Sequence, residues 1–287
     1  MNETPAMAGI AAGAAPDLAA KDAALDRVLR DFPSMIVAYS GGVDSAYLAY
    51  AAHRALGSSA LCVTAVSPSY PDRHRALAVR IAGEFGFNHQ FIQTAEMARP
   101  EYRANPANRC YYCKHELYTH LRALALERGI PVIADGSNAD DRGDYRPGRQ
   151  AAREFGVRSP LDEVSLSKDE IRELSRVAGL PTWDEPASAC LSSRIPYFSE
   201  VTDEKLRMIE RAEAVLRDLG FRICRVRHHD AIARLELGRE EIARALEPAM
   251  ADVIDRELRE IGYAHVTIDL RGYRLGSLND ALRLREV

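Results

Sequence analysis

The sequence predicts an α/β protein with a doubly wound parallel sheet, followed by a smaller C-terminal α+β domain. Short apolar runs at 36–39, 60–66 and 131–134 are typical of strands buried on both faces. Segments with helical spacing separate these runs, and this alternation is typical of a parallel sheet with helices on both faces. From about residue 200 the order of the elements changes, which predicts a second domain.

Each predicted element is assigned from its residue pattern and from the residues that end it. In the first domain, strands are expected at 36–39, 60–66, 89–92 and 131–135. Helices are expected at 22–30, 46–56, 72–85, 114–128 and 168–178, the last starting with Ser167 and Glu170 in capping-box spacing. The second domain is expected to run helix, strand, strand, helix, strand at 202–220, 221–227, 231–237, 239–261 and 263–269.

The composition limits the class of protein. Residues 1–20 are rich in Ala, Gly and Pro and are expected to be a disordered leader, followed by domains at 21–199 and 200–287. The 38 basic and 42 acidic side chains nearly balance, so no overall field attracts nucleic acid or a membrane. Five cysteines without an export signal predict reduced thiols and a cytoplasmic location. No run is long enough to span a bilayer.

A glycine-bearing loop follows the first strand, with the run Ser-Gly-Gly-Val-Asp-Ser at 40–45. Its glycines and the helix start behind it can bring backbone N–H groups to a phosphate. Asp44 beside phosphates indicates a bridging divalent cation. No Gly-Lys-Ser/Thr follows, so the loop is not a Walker A motif. It resembles the SGGxDS loop of PP-loop ATP pyrophosphatases, which split ATP between its α and β phosphates and adenylate a substrate.

A second polar loop follows the predicted strand at 131–135. It contains Gly136, Ser137 and Asn138 and should face the first loop, because both leave the carboxyl ends of parallel strands. Together with Asp44, either Asp140 or Asp141 could hold Mg²⁺. The alternative is an ordinary Asx-rich loop. Ser67 and Ser69 end the second strand at the same edge of the sheet, where such sheets bind ligands.

A Cys-x-x-Cys pair is formed by Cys110 and Cys113. Such a pair can be structural or line a substrate pocket, supply half a zinc site, or be redox-active. No second pair of zinc ligands with suitable spacing follows, and the structural or pocket role is preferred. Arg109 and Lys114 flank the pair and either meet a phosphate or are solvated surface charges.

A loop around Cys190 is the most promising site of chemistry. Small residues surround Cys190, and Pro186 and Pro196 bracket the segment, so a fixed loop is expected rather than a core strand. Arg194 lies four residues on and places a positive charge where it favours a thiolate. Taken alone, Cys190 is an ordinary cysteine, but after an ATP-pyrophosphatase loop it is a candidate nucleophile.

Two arginines lie two residues apart on the first strand of the C-terminal domain. Arg225 and Arg227 should therefore share one face, where they could bind a phosphate or carboxylate. The alternative is a solvated strand face. Cys224 points the other way and is expected in the core, as is Cys62 in the second strand. His228 and His229 are expected either as hydrogen-bonded turn residues or as ligands.

These segments occur in an order that resembles the LarE family of ATP-dependent sulfur transferases. The resemblance covers about residues 22–287, and the run at 190–197 is its most specific part. The family helps to build the nickel-pincer nucleotide cofactor of lactate racemase. The segments that carry the resemblance are the loop at 40–45, Cys110 and Cys113, the loops at 136–141 and 144–148, the run at 190–197, and 225–229.

The resemblance implies a two-step reaction. A carboxylate of a pyridinium-3,5-biscarboxylic acid mononucleotide is adenylated with ATP and Mg²⁺, and pyrophosphate is released. Cys190 then attacks, and elimination across its Cα and Cβ leaves a thiocarboxylate on the substrate and dehydroalanine on the enzyme. Expected partners are the nucleotide substrate, other enzymes of the nickel-pincer pathway and further copies in a homo-oligomer, with no nucleic acid and no membrane.

The predicted site residues follow from these patterns and the resemblance. Catalytic roles are expected for Cys190 and Arg194, and metal binding for Asp44 and Asp141. Substrate binding is expected for Arg109, Arg225 and Arg227. The residues expected to bind ATP are Ala38, Ser40, Gly41, Gly42, Asp44, Ser45, Ser67, Gly136, Ser137 and Asn138.

The resemblance implies one of two sulfur sources. Members of the family either sacrifice their own cysteine or use a [4Fe–4S] cluster that three cysteines hold. Cys190 has no second cysteine in its loop, and only Cys110 and Cys113 could complete a triad with it. An iron–sulfur cluster is therefore not expected, and Cys190 is predicted to act once.

Other readings of the sequence give different functions. An amidating synthetase related to NAD or GMP synthetases leaves Cys190 without a role, and no glutaminase domain is present. A tRNA thiolase would need a basic patch or an RNA-binding module, and the sequence shows neither. A non-enzymatic nucleotide-binding regulator would not exchange pyrophosphate with ATP.

Overall fold

The computed structural model describes residues 16–143, 147–186, 189–274 and 276–279. Its strands are β1 (Met35–Ala38), β2 (Ala60–Val66), β3 (Asn88–Gln93), β4 (Val132–Ala134), β5 (Cys224–His229), β6 (Ile232–Leu237) and β7 (His265–Ile268). Its helices are α1 (Pro16–Arg30), α2 (Val43–Leu56), α3 (Asp72–Glu84), α4 (Pro100–Arg103), α5 (Arg109–Arg128), α6 (Pro147–Glu154), α7 (Pro160–Glu163), α8 (Lys168–Val177), α9 (Asp203–Asp218), α10 (Ile242–Ala245) and α11 (Pro248–Ile261).

The chain divides into two compact units. The first comprises Met1–Val66, Asp72–Thr94 and Cys110–Glu185. The second comprises Ser67–Pro71, Ala95–Arg109 and Pro186–Val287. The domain ranges 21–199 and 200–287 stay predictions.

The first unit contains a parallel sheet in the order β3-β2-β1-β4. Within β1, Met35 pairs with Ala60 of β2 on one side and with Val132 of β4 on the other. Val37 packs into the apolar cluster on one face of the sheet, and Ile36 into the cluster on the other face. Burial on both faces explains the continuous apolar runs, and the predicted doubly wound α/β fold is confirmed.

The second unit contains a separate sheet in the order β5-β6-β7. Strand β5 is antiparallel to β6, and β7 is parallel to β6. Val226 of β5 packs in one core with Leu216 of α9 and Leu258 of α11. The predicted order of helix, strand, strand, helix and strand is confirmed.

Several element boundaries differ from the prediction in the N-terminal half. Helix α1 begins at Pro16, inside the range predicted to be a disordered leader, because Leu18 is buried and packs into the core. Residues 1–15 lie outside the described part of the chain. Helix α5 begins at Arg109 rather than at 114, so Cys110 and Cys113 lie within its first five residues. In the loop expected at 144–148, residues 144–146 lie outside the described residues, and Pro147 begins α6.

The boundaries also differ in the C-terminal half. Strand β5 runs over Cys224–His229 instead of 221–227, so His228 lies in a strand and not in a turn. The helix predicted at 239–261 is interrupted before Pro248, because proline has no amide hydrogen for the preceding helix and is suited to a first helical position. Among the described helices, none is both long and apolar enough to cross a membrane.

Candidate functional site

The loop between β1 and α2 is closed by its two serines. The backbone N–H of Ser40 donates to Ser45 Oγ at 3.1 Å, and Ser45 Oγ donates to the Gly42 carbonyl at 3.0 Å. Gly41 has a φ of +71°, and a Cβ there would lie 3.0 Å from Ala78 Cβ. Glycine tolerates this positive φ and has no Cβ that would contact Ala78. The loop leads directly into the first N–H groups of α2.

The loop after β4 packs against this first loop, as predicted. A Cβ on Gly136 would lie 2.9 Å from the Ser45 nitrogen and 3.1 Å from the Asp44 carbonyl carbon. Asn138 Nδ2 donates to Asp44 Oδ1 at 3.2 Å. Ser137 donates its backbone N–H to Asp135 Oδ1 at 3.1 Å. Gly136 therefore allows the two loops to meet.

We expect Gly136→Ala to lower the free energy of unfolding by about 2 kcal/mol, because the added methyl group would overlap backbone atoms of the first loop. The matched control is Gly83→Ala in α3, where no atom beyond the adjacent residues and the nearby helix backbone lies within 4 Å of the added Cβ. That substitution should raise stability by about 0.5–1 kcal/mol. Urea unfolding measures both changes, and a neutral Gly136→Ala would contradict the close packing.

Lys168 is a member of this site that the sequence analysis did not identify. Its Nζ lies 2.5 Å from Asp44 Oδ2, and its backbone N–H donates to Asp140 Oδ2 at 2.7 Å. In the sequence, Lys168 appears only as the residue after the helix cap Ser167, and the predicted capping box is present. An ammonium group beside the loop adds a positive charge where phosphate is expected to bind.

The two carboxylates predicted to share Mg²⁺ have other partners. Asp44 bonds Lys168 and Asn138, and Asp141 Oδ2 accepts the Asn138 backbone N–H at 3.1 Å. Within the described ranges, no group of three or more His, Cys, Asp or Glu side chains is placed to hold a metal ion. Mg²⁺ often binds through one or two carboxylates plus substrate phosphates, so the oxygen donors of Asp44 fit such an ion. The metal roles stay predictions.

In the second unit, Cys190 precedes a short 3₁₀ turn at Leu191–Arg194. The Cys190 carbonyl accepts the Ser193 N–H at 3.0 Å, the Ser193 hydroxyl at 2.8 Å and Arg194 Nη1 at 2.9 Å. The Leu191 N–H donates to the Ser69 carbonyl at 2.9 Å. The peptide group after Cys190 is therefore bonded at both its oxygen and its nitrogen. The described segment is a hydrogen-bonded turn and not a strand, as predicted.

Three buried arginines donate to backbone carbonyls of this turn. Arg194 Nη1 lies 2.7 Å from the Ala189 oxygen, Arg109 Nη1 lies 2.9 Å from the Ser192 oxygen, and Arg227 Nη1 lies 2.7 Å from the Ser193 oxygen. Arg109 Nη2 also lies 4.0 Å from Cys190 Sγ, a hydrogen-bond distance for sulfur. The guanidinium groups thus fix the backbone around Cys190, and Arg109 also contacts its thiol.

Buried carboxylates accompany two of these arginines. Glu213 Oε1 lies 2.8 Å from Arg194 Nε, and Glu236 Oε2 lies 2.7 Å from Arg227 Nη2. Burial of Glu213 disfavours its charged form, but the Arg194 guanidinium outweighs this effect and holds the pKa of Glu213 at about 2. The Arg194–Glu213 pair is therefore charged at neutral pH, and Arg194 has the geometry of a residue that positions the turn.

Arg225 has a different setting from Arg227. Its Nη1 donates to the Cys224 carbonyl at 2.7 Å, and its guanidinium carbon lies 5.2 Å from the centre of the Tyr273 ring. Burial and the nearby positive charge of Arg194 lower the pKa of Arg225. The Glu213 carboxylate acts in the opposite direction on the pKa of Arg225. The predicted pairing of Arg225 and Arg227 on one substrate group stays a prediction.

Ser67, predicted to bind ATP, lies in a buried cluster of the second unit. Glu96 Oε1 accepts hydrogen bonds from Ser67 Oγ at 2.5 Å and from Ser69 Oγ at 3.0 Å. Ser69 then accepts the Leu191 N–H through its carbonyl. In this structure Ser67 helps to hold the segment that supports the Cys190 turn, and its role with ATP stays a prediction.

The remaining cysteines separate into two groups. Cys62 and Cys224 are buried in strands as predicted, and burial raises their pKa values to about 12 and about 11. Cys110 is exposed and Cys113 is half-buried, and both lie within the first five residues of α5. All five cysteines lie in the described residues, and none forms a disulfide.

The fold and the loop after β1 agree with comparisons to known proteins. The chain matches no family model. It is 29% identical over 205 residues to one of the subunits of the glutamine-hydrolysing GMP synthase of Methanopyrus kandleri, covering 64% of this chain and 62% of that protein. With the Ser-Gly-Gly-Val-Asp-Ser loop, this similarity defines an enzyme of the PP-loop ATP pyrophosphatase class.

Two further relatives match over most of their length. The protein slr1717 of Synechocystis sp. is 47% identical over 247 residues, which are 86% of this chain and 92% of the relative. The pyridinium-3,5-bisthiocarboxylic acid mononucleotide synthase of Lactiplantibacillus plantarum is 36% identical over 266 residues, 92% of this chain and 96% of the synthase. The chain belongs to the family of this synthase, the LarE family.

Proposed function

We propose that the protein is an ATP-dependent sulfur transferase that converts a carboxylate of pyridinium-3,5-biscarboxylic acid mononucleotide into a thiocarboxylate. The observation that carries this proposal is Cys190, a half-buried cysteine in a turn fixed by Arg109, Arg194 and Arg227. The name of the L. plantarum relative, which specifies a bisthiocarboxylic acid mononucleotide, supports the product class. The reaction of an amidating synthetase would leave Cys190 without a catalytic role.

The first step of the proposed reaction activates the carboxylate. ATP would bind at the loops that start at Ser40 and Gly136, with its phosphates toward the first N–H groups of α2 and the Lys168 ammonium. Mg²⁺ would be held by Asp44 together with phosphate oxygens and would neutralise their charge. The substrate carboxylate attacks the α-phosphate of ATP, forms an acyl adenylate and releases pyrophosphate. AMP then replaces oxide as the group that leaves the carbonyl carbon, and AMP is the better leaving group.

The second step moves the sulfur. The Cys190 sulfur attacks the activated carbonyl carbon, AMP leaves, and a thioester joins the substrate to the enzyme. Loss of the Cα proton and cleavage of the Cβ–S bond then leave a thiocarboxylate and dehydroalanine. Arg109 supports this step because its Nη2 lies beside Cys190 Sγ, where a guanidinium stabilises a sulfur anion. Arg225 is proposed to bind the phosphate or a carboxylate of the substrate.

The intact mass of the protein tests this function. After incubation with ATP, Mg²⁺ and the pyridinium substrate, we expect a loss of about 34 Da, the mass of H₂S, in a peptide that contains Cys190. Omission of ATP should prevent the loss. An unchanged protein mass in the presence of a formed thiocarboxylate would contradict Cys190 as the donor.

We expect Asp44→Asn to reduce pyrophosphate release by at least about 100-fold without unfolding the protein, because the charge that meets the magnesium nucleotide is removed. The matched control is Asp26→Asn, since Asp26 also forms an ion pair and its side chain is 25% exposed, against 24% for Asp44. Release of radiolabelled pyrophosphate measures the effect. Normal release by a folded Asp44→Asn protein would refute the role of this loop.

The chemistry of the proposed product indicates the pathway in which the protein would act. A bisthiocarboxylic acid mononucleotide has two soft sulfur ligands suited to nickel, and the family resemblance points to enzymes of nickel-pincer cofactor assembly as partners. We propose that the protein works in the cytoplasm, where its thiols stay reduced.

A further inference from the structure

The geometry points to an oxyanion site on the protein's own backbone: Ser193 and Arg194 stabilise negative charge on the Cys190 carbonyl oxygen while Cys190 becomes dehydroalanine. This inference rests on the proposed function, because it concerns the elimination step. It assigns Ser193 a catalytic role that neither its position in a turn nor the sequence pattern indicates.

Three hydrogen-bond donors surround this oxygen. The Ser193 N–H lies at 3.0 Å, the Ser193 Oγ at 2.8 Å and Arg194 Nη1 at 2.9 Å. Donors of an oxyanion hole lie 2.7–3.1 Å from the oxygen that becomes charged, and all three fall in this range. Arg194 Nη1 also lies 3.0 Å from Ser193 Oγ and 2.7 Å from the Ala189 oxygen, so its two N–H groups are shared among three acceptors. The Ser193 hydroxyl accepts from the guanidinium and donates to the Cys190 carbonyl.

A neutral carbonyl in a turn does not require this set of donors. A 3₁₀ turn uses one N–H bond to the first carbonyl, which the Ser193 N–H supplies. A carbonyl oxygen has two lone pairs, so three donors, one of them charged, exceed the demand of a neutral amide. An oxygen that gains negative charge accepts such a set well, because charge-assisted hydrogen bonds are about twice as strong as neutral ones.

The elimination creates that charge. In the thioester, water takes the Cα proton of Cys190, and the electron pair of the C–H bond moves onto the Cys190 carbonyl as an enolate. The pair then returns to form the Cα–Cβ double bond, the Cβ–S bond breaks, and sulfur leaves with its electron pair as the thiocarboxylate. One proton and one thiocarboxylate leave the enzyme, and no oxidant or reductant is consumed.

The surrounding contacts hold the donors in place before the reaction. Arg194 is fixed by its ion pair with Glu213, and the amide on the other side of the peptide bond is fixed by the Ser69 carbonyl. Fixed donors stabilise a developing charge without a reorganisation cost, which is how oxyanion sites lower a barrier. Replacement of Arg194 would leave the Glu213 carboxylate buried without its ion-pair partner and would destabilise the protein, so its effect on the reaction could not be separated from a loss of stability. Ser193 is therefore the residue to test.

Ser193→Ala removes one donor, and we expect thioester breakdown to slow by about 100-fold. Quenched reactions with ATP, Mg²⁺ and the pyridinium substrate are followed by intact mass, which separates the thioester adduct from dehydroalanine. AMP release should stay at the wild-type rate while the adduct accumulates. Protein made with α-deuterated cysteine should show a larger isotope effect on adduct decay in Ser193→Ala, because proton removal then limits the rate. Ser193→Thr keeps the hydroxyl and should restore the decay.

The outcomes distinguish this inference from the function on which it rests. Wild-type protein that forms neither adduct nor dehydroalanine would reject the proposed function. Wild-type protein that forms dehydroalanine, together with a Ser193→Ala adduct that decays at the same rate, would reject the oxyanion site alone. A Ser193→Thr protein as slow as Ser193→Ala would also overturn it, because the hydroxyl would then have no role.

Discussion

Replacement of Cys190 by alanine is expected to abolish sulfur transfer while ATP-dependent pyrophosphate release continues. The reason is that the two loops proposed to bind ATP lie in the first unit and are joined by a hydrogen bond, whereas Cys190 lies in the second unit. The alanine protein should form no thiocarboxylate and show no loss of about 34 Da. ATP–pyrophosphate exchange and mass spectrometry measure the two steps separately.

The matched control is Cys110→Ala, because Cys110 is the exposed cysteine in the first turn of α5. It should transfer sulfur normally, and so should Cys113→Ala if correctly folded. Sulfur transfer by Cys190→Ala would remove this residue as the donor. Multiple turnovers with added sulfide, or an iron–sulfur absorption band in anaerobically purified protein, would contradict the single use of Cys190.

Glu213→Ala is expected to lower the free energy of unfolding by about 3–5 kcal/mol, because it leaves the Arg194 guanidinium buried without its carboxylate. The variant also removes the acceptor of the Val226 backbone N–H, 3.2 Å from Glu213 Oε1. The control is Asp255→Ala, which breaks an exposed ion pair with Arg259 on α11 and should cost about 0.5 kcal/mol or less. Urea unfolding compares the two, and equal losses would contradict the importance of burial.

The same pair predicts a pH dependence. The pKa of Glu213 falls from its ordinary 4.5 to about 2 in the folded protein, so its contribution to stability is present above pH 4.5. This contribution is lost as the pH falls from 4.5 toward 2, where the carboxylate becomes protonated. Glu213→Gln should therefore show a weaker loss of stability across this window than the wild type. A steeper loss in the variant would reverse the sign and contradict the ion pair.

Local patterns were sufficient for much of the fold. The apolar run predicted at 60–66 is strand β2, because a strand covered on both faces carries apolar side chains at every position. The capping box at Ser167 and Glu170 is present, because its two hydrogen bonds join residues three apart. The same holds for the loop at 40–45, since its strand, glycines and helix start are contiguous in the chain.

Tertiary contacts decided the partners of the charged residues. Arg194, predicted as a neighbour that favours a thiolate, forms hydrogen bonds with Glu213 and with the backbone of the turn, and its effect on the thiol stays a prediction. Lys168 reaches Asp44 across 124 residues of sequence. A charged side chain in a sequence has the same local pattern whether it is solvated or paired, so these partners could not be predicted.

The sequence by itself determined the class of protein, its parallel sheet, its nucleotide loop and its candidate nucleophile, because each of these features is encoded in a few consecutive residues. Only the tertiary structure decided what surrounds Cys190. Arg109 and Arg227 reach the turn from 83 and 34 residues away. Their bonds depend on how distant segments pack, and burial is what makes their charges require partners.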